Sequence, residues 1–442
     1  MNYLYILILI KRFICGGKTI ITFEQILPLI LLFLVNLAVI FRRIGKLQIP
    51  AWTAFLAAAV IIVLSKPGNA DKALTVLVSE VDVFVFLFGM FVIVTALEMS
   101  GVLEKIAKTM LKRTRKGKTL LLFIHIGFGL MASILINDTV AIIAPIILIS
   151  FAKYLEKNAK PFIIAVAISL SFGSALLPSG NPQNFILAST GEISYLIFAL
   201  WALLPTLFAL LFSFLALRLF YRKEFNNEQY PQYPIIEERY EYEQLAKPAL
   251  ISLILMILGM SITSFFDISM AIPILIVSVL FLFFTNKRTD ILAKIDWGIL
   301  LFFAGMFVVI DAVTTTPFIQ DFISTSIADK EPTYTTFIIF ILIIFLASQI
   351  ISNVPVAIII SQVLPLTTLN LPVFWIGAAL ATTFAGATSV LGAASNIIVL
   401  ETASKRGVSI TWFEFTKIGL PISLLSLLGI IGFGGLYFLI FL

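Results

Sequence analysis

The chain has 442 residues, of which 60% are hydrophobic and 12% charged, with a net charge of +6 and a mean hydropathy of +1.09. Soluble domains have about a quarter of their residues charged, so this composition excludes a soluble globular protein. Apolar stretches approach the length of a membrane span, as in Ile26–Phe41, Val81–Leu97 and Ile418–Leu442, without the alternation of a membrane β-barrel. We predict an all-α polytopic membrane protein with about 10–11 transmembrane helices.

Side chains that commonly hold metals or form disulfides are scarce. The chain has one cysteine, Cys15, one histidine, His125, and neither an HExxH nor a CxxC motif. A disulfide framework is excluded, and paired-histidine metal sites are disfavoured. We expect a protein that is not an enzyme and has no cofactor. The excess of Lys and Arg indicates cytoplasmic loops rather than a nucleic-acid surface.

The first residues do not form an obvious spanning segment. Tyr3–Ile10 is apolar but short, and Lys11 and Arg12 interrupt it. A leader-like segment, an extra short helix and an N-terminal extension all fit this pattern. We treat residues 1–22 as an N-terminal appendage.

Basic residues predict the orientation in the cytoplasmic (inner) membrane. The loop 105–118 has the densest run of Lys and Arg, and the positive-inside rule assigns it to the cytoplasm. Most other basic loops then fall on the same side, whereas Asp71, Asp321 and Asp329 fall outside. Residues 222–246 are too polar to span and too long for a turn, so they predict a cytoplasmic linker.

The segments on either side of this linker resemble each other. The charge pattern gives them opposite orientations, so we predict two inverted repeats, residues 23–221 and 247–442. Secondary transporters commonly have this plan, with a solute site near the membrane midplane at the repeat interface. The matches are Gly89–Val92 with Gly305–Val308 and Asn137 with Asn353, both at an offset of 216 residues, and Gly180–Asn184 with Gly392–Asn396 at an offset of 212.

Each copy has a polar tip between two apolar segments. The first contains Asn137, Asp138 and Thr139, and the second contains Ser352 and Asn353. An ionised Asp in hydrocarbon costs at least about 2.5–3.5 kcal/mol, so Asp138 is expected to face a partner, a cation or water. Both re-entrant hairpins and ordinary hairpins with polar turns fit, and the paired Asn residues favour the re-entrant form. We assign Asp138, Asn137 and Asn353 to ion coupling, and Thr139 and Ser352 to solute binding.

Each copy also has a helix interruption rich in Gly and Asn. Pro182 lacks an N–H and Gly180 tolerates non-helical angles, so a helix must break there. Broken helices expose N–H and C=O groups that bind anions and cations. A plain external turn is the alternative, because Phe162–Pro178 as one helix already rises about 25 Å. The predicted solute ligands are Gly180, Asn181, Gln183 and Asn184 in the first copy, and Ser389, Gly392, Ser395 and Asn396 in the second.

Three other ionisable residues lie in apolar segments and are secondary candidates for proton relay. Glu98 is near the cytoplasmic end of its helix and Asp311 near the external end, so an interfacial role fits both. His125 has an ordinary pKa near neutrality, although a packed, hydrogen-bonded histidine is the more common case.

Two motifs carry a family resemblance. Ile134–Pro145 reads ILINDTVAIIAP and Pro178–Asn184 reads PSGNPQN. They resemble the ion transporter superfamily, in particular arsenite permease (ArsB)/NhaD-type permeases with a citrate-transporter-like domain, over nearly all of residues 22–442. The resemblance implies a scaffold domain that dimerises, and a transport domain with two re-entrant hairpins and two broken helices. It also implies elevator-type alternating access driven by H⁺ or Na⁺.

The tips depart from the sodium-coupled dicarboxylate carriers of that superfamily, in which Ser-Asn-Thr motifs help to form sodium sites. The first tip has an acid, Asp138, and the second, Ser352–Val354, lacks the threonine hydroxyl. An acid can take up and release a proton. The departures therefore disfavour sodium–dicarboxylate symport and favour H⁺-coupled antiport.

We therefore expect a secondary active transporter for a small inorganic anion or a metalloid hydroxide such as arsenite. H⁺ or Na⁺ is the expected coupling ion, with Na⁺ at the hairpin tips as the only metal. A homodimer in the lipid bilayer is expected, without nucleic acid. A Na⁺/H⁺ antiporter is the first alternative. A di- or tricarboxylate (citrate-like) transporter is a further one, disfavoured because no Lys or Arg is predicted deep in the membrane. A channel fits the repeated plan less well. An intramembrane hydrolase is disfavoured because His125 has no serine partner motif, and Asp138 and Asp311 do not lie in a Gly-x-Gly-Asp context.

Overall fold

A computed structural model describes residues 23–41, 43–44, 47–114, 116–226, 229–231, 240–266, 268–325 and 329–441. The predicted appendage, residues 1–22, lies outside the described residues, as does the middle of the predicted linker. One antiparallel ladder pairs Arg43–Ile44 (β1) with Leu47–Gln48 (β2). Otherwise the regular structure of the described residues is helical.

The helices follow the chain and are separated by short turns. They are α1 Phe23–Phe41, α2 Ala51–Ser65, α3 Asn69–Ser79, α4 Val81–Met99, α5 Val102–Lys112, α6 Gly117–Leu135, α7 Asn137–Tyr154, α8 Lys160–Gly173, α9 Pro182–Thr190, α10 Tyr195–Phe220, α11 Ala246–Thr263, α12 Ala271–Phe284, α13 Arg288–Lys294, α14 Trp297–Thr314, α15 Pro317–Ile323, α16 Tyr334–Ile351, α17 Asn353–Val363, α18 Pro372–Ala385, α19 Ala394–Ser404 and α20 Trp412–Phe441.

Many of these helices have the length and composition of membrane spans. Eight helical segments of the described chain, in α4, α6, α7, α10, α11, α14, α16 and α20, are long and apolar enough to cross a bilayer, and six shorter apolar helices accompany them. Large apolar side chains such as Phe283, Phe284 and Leu439 are largely exposed, as expected for a surface that faces lipid. The prediction of an all-α polytopic membrane protein is confirmed.

Contacts divide the chain into two compact units. Of the described residues, the smaller unit comprises those within Met1–Val78 and Leu301–Ile327, and the larger comprises those within Ser79–Leu300 and Ala328–Leu442. In the smaller unit α2 packs on α1, and the ring of Phe55 meets that of Phe302 edge-on with centroids 5.0 Å apart. In the larger unit α10 packs along α20 and α16 packs on α18.

The matched glycines of the two copies lie at equivalent helix contacts, one in each unit. A Cβ at Gly89 of α4 would lie 2.5 Å from Ile274 of α12, and a Cβ at Gly305 of α14 would lie 2.7 Å from the backbone of Phe55 in α2. A glycine therefore permits the close approach in both places. In each unit, a helix from one half of the chain packs on a helix from the other half.

The first helix break begins earlier than its sequence indicates. The helix α8 ends at Gly173, two short 3₁₀ turns occupy Ser174–Leu176 and Pro178–Gly180, and α9 begins at Pro182. The 14 residues of α8 therefore rise only about 21 Å. The excess length that favoured a plain external turn does not arise, because the chain leaves the helix before the Gly-Asn-Pro sequence.

Candidate functional site

Each polar tip is a one-residue interruption between two helices. Ile136 separates α6 from α7 with φ of 67°, and Ser352 separates α16 from α17 with φ of 70°. Positive φ is uncommon for residues other than glycine and is unfavourable for a β-branched isoleucine. The matched positions of the two copies therefore share one unusual backbone conformation.

The helices that follow the tips begin at buried asparagines. Asn137 and Asn353 are 6% and 2% exposed, and each is the first residue of its helix. Asp138 lies in the first turn of α7, where the helix dipole favours a negative charge, and it is half-buried. The 11 residues of α17 rise only about 17 Å, roughly half of a bilayer core.

The two helix breaks share one hydrogen-bond pattern. In the first copy, Asn184 Nδ2 donates to the carbonyl oxygens of Ser174 and Leu177 at 3.0 and 3.2 Å. In the second copy, Asn396 Nδ2 donates to those of Gly386 and Ser389 at 2.6 and 2.9 Å. The acceptors lie 10 and 7 residues before the asparagine in both cases. Each asparagine thus satisfies carbonyls that the interrupted helix leaves without an intrahelical partner.

A glycine closes each break against the end of the preceding helix. A Cβ at Gly180 would lie 2.1 Å from the Ser174 carbonyl oxygen, and a Cβ at Gly392 would lie 2.8 Å from that of Gly386. Both contacts are to backbone atoms and cannot be relieved by a rotamer change. The sequence match of these glycines therefore reflects the same requirement for close approach.

The two copies meet through polar side chains in the larger unit. Thr383 Oγ1 donates to Asn184 Oδ1 at 2.9 Å, and Asn181 Nδ2 lies 3.4 Å from Thr383 Oγ1. Asn137 Nδ2 donates to Ser395 Oγ at 3.4 Å. The helices after the tips pack accordingly, α7 on α19 and α17 on α9. Each tip therefore packs on the broken helix of the opposite copy.

These contacts form a single polar cluster, here called the central cluster. Asn353 Nδ2 lies 2.9 Å from the position that a Gly386 Cβ would occupy, and Gly386 is one helical turn after Thr383. Its members are Asn137, Asn181, Asn184, Asn353, Thr383, Gly386, Ser395 and Asn396, and all of their side chains that have polar atoms are buried.

The second copy leaves several buried oxygens without a hydrogen-bond donor. Asn353 Oδ1, Asn396 Oδ1 and Thr388 Oγ1 have no hydrogen-bond partner within the described chain. In the first copy, by contrast, Asn181 Oδ1 accepts from Asn184 N at 2.8 Å and Asn184 Oδ1 accepts from Thr383. Amide and hydroxyl oxygens of this kind can accept from a hydroxyl solute or ligate a hard cation.

The other predicted solute ligands belong to the same tips and broken helices as the members of the central cluster. Thr139 and Gln183 are buried next to Asn137 and Asn184 along their helices, and Ser352 is half-buried at the second tip. Ser389 contributes its carbonyl oxygen to Asn396.

The proposed proton-relay residues are not linked to the central cluster by any hydrogen bond of the described chain. His125 lies in a π-helical part of α6, where its Nε2 is 2.8 Å from Ser213 Oγ. Glu98 is half-buried near the end of α4, where the Lys294 ammonium acts on it electrostatically. Asp311 belongs to the smaller unit, where it lines a cavity of about 400 Å³ with Lys66 and Lys72.

Several participating residues were not predicted from the sequence. Thr383 joins the two copies, and Gln349 Nε2 of α16 donates to the Ala385 carbonyl at 3.0 Å. Ser179 Oγ donates to the Ser133 carbonyl of α6 at 3.2 Å, which ties the first tip helix to the first break. The sequence indicates Thr383 only weakly, as a hydroxyl residue three positions before Gly386 at the end of an alanine-rich helix.

The helix ends give the central cluster its electrostatic character. The helices α7, α9, α17 and α19 all begin within or next to it, so their positive N-terminal ends face the same region. Among the described residues no group of three or more His, Cys, Asp and Glu side chains is arranged to hold a metal ion. Helix N-termini and neutral side chains of this kind suit a small anion or a metalloid hydroxide, accompanied by a monovalent cation.

Comparison with known proteins identifies the class. The family model CitMHS, described as citrate transporter, matches residues 31–368. The protein is therefore a membrane transporter, and it belongs to the CitMHS citrate transporter family. The resemblance found in the Asn-Asp and Gly-Asn-Pro-Gln-Asn motifs is confirmed.

Individual relatives extend this finding. A 46 kDa membrane protein of Mycobacterium leprae is 26% identical over 368 residues, which cover 78% of this chain and 84% of that protein. The Silicon efflux transporter LSI3 of Oryza sativa is 26% identical over 170 residues, 38% of this chain and 34% of that protein. The Putative transporter arsB of Dictyostelium discoideum is 27% identical over 146 residues, 33% of this chain and 26% of that protein.

Proposed function

We propose that the chain is a secondary active transporter that moves a small inorganic anion or a metalloid hydroxide across the cytoplasmic membrane, coupled to H⁺ or Na⁺. In this proposal the central cluster binds the solute between two inverted repeats, residues 23–221 and 247–442. The tips are re-entrant, the loop 105–118 and the linker 222–246 face the cytoplasm, and a homodimer works by elevator-type alternating access.

The observation that carries the proposal is the composition of the central cluster. Its side chains are neutral amides and hydroxyls, and four helix N-termini begin at or beside it. Neutral ligands and peptide N–H groups suit a metalloid hydroxide or a small oxyanion. Solutes of both kinds can be bound through many hydrogen bonds without a Lys or Arg side chain in the site. The relatives named as a silicon efflux transporter and a putative arsB transporter agree with this class of solute.

Asp138 supplies the coupling function in this proposal. It follows Asn137, which contacts Ser395, and it lies in the first turn of α7, whose first residue belongs to the central cluster. A half-buried carboxyl without an ion pair among the described residues can exchange a proton or bind Na⁺ as the site changes its exposure.

The test uses inside-out membrane vesicles and arsenite, antimonite and silicate as solutes. Asp138→Asn is expected to abolish the pH dependence of uptake, because the amide cannot titrate. Asp138→Glu should keep that dependence with altered affinity, and Asp71→Asn, an exposed acid in α3, should behave as wild type. Unchanged pH dependence in Asp138→Asn would show that Asp138 does not couple protons.

A Na⁺/H⁺ antiporter is the first alternative, and the unpartnered oxygens of Asn353, Asn396 and Thr388 favour it. In vesicles containing a pH-sensitive dye, Na⁺ would dequench the dye in the absence of any transported anion. A response that requires arsenite or another solute excludes this alternative.

Citrate transport is the further alternative, and the description of the family favours it. No Lys or Arg belongs to the central cluster as the structure describes it, so three carboxylates would depend on helix N-termini and on a bound cation. Uptake of labelled citrate into proteoliposomes, above that of empty liposomes, would select this function over transport of a metalloid hydroxide.

A further inference from the structure

A cavity lined by both basic and apolar side chains lies in the larger unit, at the end of α10 and in the turn that follows it. Its volume is about 420 Å³. It is lined by Leu215, Arg218, Leu219, Arg222, Phe225 and Asn226. None of these residues belongs to the central cluster, and the proposed transport function does not use them.

The two arginines lie on one face of this cavity without a described counter-charge. Arg218 and Arg222 are four residues apart, and neither forms an ion pair with an acidic side chain that the structure describes. Like charges at this spacing destabilise a helix, and a bound anion would offset this loss of stability. Guanidinium groups in this spacing match the oxygens of a phosphate, which they bind in bidentate fashion.

The same cavity is also lined by exposed apolar side chains. Leu215 and Leu219 are 48% and 58% exposed, on a helix long and apolar enough to span a membrane. Large exposed leucines on such a helix suit contact with lipid chains. The cavity therefore combines a basic end with an apolar flank, which is the division found in a phospholipid.

The floor of the cavity is held in place by packing. Phe225 is buried, and its ring centroid is 5.5 Å from that of Phe162 at the start of α8. The Asn226 carbonyl accepts from the backbone N–H of Lys118 at the start of α6, with a distance of 3.0 Å. The turn that forms the floor of the cavity is thus anchored to two neighbouring helices.

We infer that this cavity binds the phosphodiester headgroup of an anionic phospholipid. The guanidinium groups of Arg218 and Arg222 contact the phosphate oxygens, and Leu215 and Leu219 lie along the acyl chains. Basic pockets beside membrane helices bind acidic lipid headgroups in this way, and the predicted orientation places this one at the cytoplasmic surface. Free phosphate shares the headgroup chemistry but lacks the chains that the leucines contact.

The test is native mass spectrometry of the delipidated full chain with phosphatidylglycerol or phosphatidylcholine of identical acyl chains. We expect the wild type to bind one phosphatidylglycerol tightly and phosphatidylcholine at least about tenfold more weakly. Arg218→Gln/Arg222→Gln should lose this preference by a similar factor, because two charge-assisted contacts are removed. The matched control Arg113→Gln/Lys223→Gln removes two exposed charges outside the cavity and should keep the preference.

Inorganic phosphate separates the two sources of the anion. In a second arm, phosphate is added alone and in competition with phosphatidylglycerol, and we expect neither arginine-dependent stabilisation nor displacement of the lipid. Arginine-dependent binding of phosphate without binding of the lipid would overturn the inference. So would equal binding of the two lipids by the wild type, a measurement that requires no variant to fold.

Discussion

The two helix breaks share a backbone plan but differ in how their side chains are used. In both, an asparagine donates to carbonyls 10 and 7 residues earlier and a glycine packs against the end of the preceding helix. In the first break, the oxygens of Asn181 and Asn184 also accept hydrogen bonds. In the second, the oxygens of Asn396 and Thr388 accept none from the described chain. One break is therefore internally satisfied, and the other retains buried acceptors.

The two tips also differ in their side chains, because one has a carboxyl group and the other an amide. The first carries the carboxyl of Asp138, and the second carries Asn353, which is neutral and has an unpartnered oxygen. A buried acceptor without a donor is destabilising by about 1–3 kcal/mol, and a bound ligand can offset that loss. The first copy therefore supplies a charged side chain, and the second copy supplies oxygens that have no hydrogen-bond donor among the described residues.

The largest expected effect concerns the glycines that both breaks require. Gly180→Ala should lower stability by about 1–3 kcal/mol or more, because its Cβ would clash with the Ser174 carbonyl at 2.1 Å. Gly392→Ala, with a nearest backbone contact at 2.8 Å, should lower it less. Thermal unfolding of the purified protein in detergent measures both.

The control for this pair is Gly432→Ala in α20, where a Cβ would meet nothing within 4 Å. That variant should be neutral or slightly more stable, since alanine favours helix. If Gly180→Ala and Gly432→Ala unfold at the same temperature, the close packing described for the first break is wrong.

An intermediate effect on stability is expected where a hydroxyl with a hydrogen-bond partner is removed, in comparison with a hydroxyl that has none. Thr383→Val removes the hydroxyl that donates to Asn184 Oδ1, so a buried acceptor loses its partner and stability should fall by about 1–3 kcal/mol. Thr388→Val has nearly the same shape and burial but removes a buried hydroxyl without a partner, so stability should not fall and should rise by up to about 1–3 kcal/mol.

The same two variants should rank in the opposite order when transport affinity is measured instead of stability. Thr388→Val is expected to raise the Na⁺ or solute concentration needed for half-maximal transport, whereas Thr383→Val should mainly reduce the amount of folded protein. Equal loss of stability in the two variants would contradict the contrast between the breaks.

The smallest expected effect on stability concerns the first tip. The hydrogen bond from Asn137 to Ser395 is long, at 3.4 Å, so Asn137→Ala should change the free energy of unfolding by less than about 1 kcal/mol. Solute affinity should fall clearly, because Asn137 lies in the central cluster. Transport titrations and thermal unfolding on the same preparation separate the two quantities, and unchanged solute affinity would remove Asn137 from the site.

Much of this arrangement is encoded locally. Composition identifies the membrane class, and the offsets of 216 and 212 residues pair Asn137 with Asn353 and Asn184 with Asn396 before any contact is known. Proline and glycine also indicate the breaks, since their backbone preferences act within a few residues.

The remainder depends on tertiary packing, which local patterns do not specify. Nothing near Thr383 indicates that it bonds to a residue about 200 positions earlier. Nothing near Ser174 indicates that its carbonyl accepts a hydrogen bond from Asn184 Nδ2. The predicted proton-relay residues also show that local patterns do not specify tertiary position. Asp311, although it lies in an apolar helix like Asp138, belongs to a different compact unit.

The most direct measurement is a cryo-EM map of the full chain in Na⁺ with arsenite or citrate, compared with a map in choline without solute. We expect solute-dependent density within hydrogen-bonding distance of Asn137, Asn353 and Ser395, next to the unpartnered oxygens of the second break. Density that appears only elsewhere, such as in the cavity lined by Asp311 and Lys72, would contradict it.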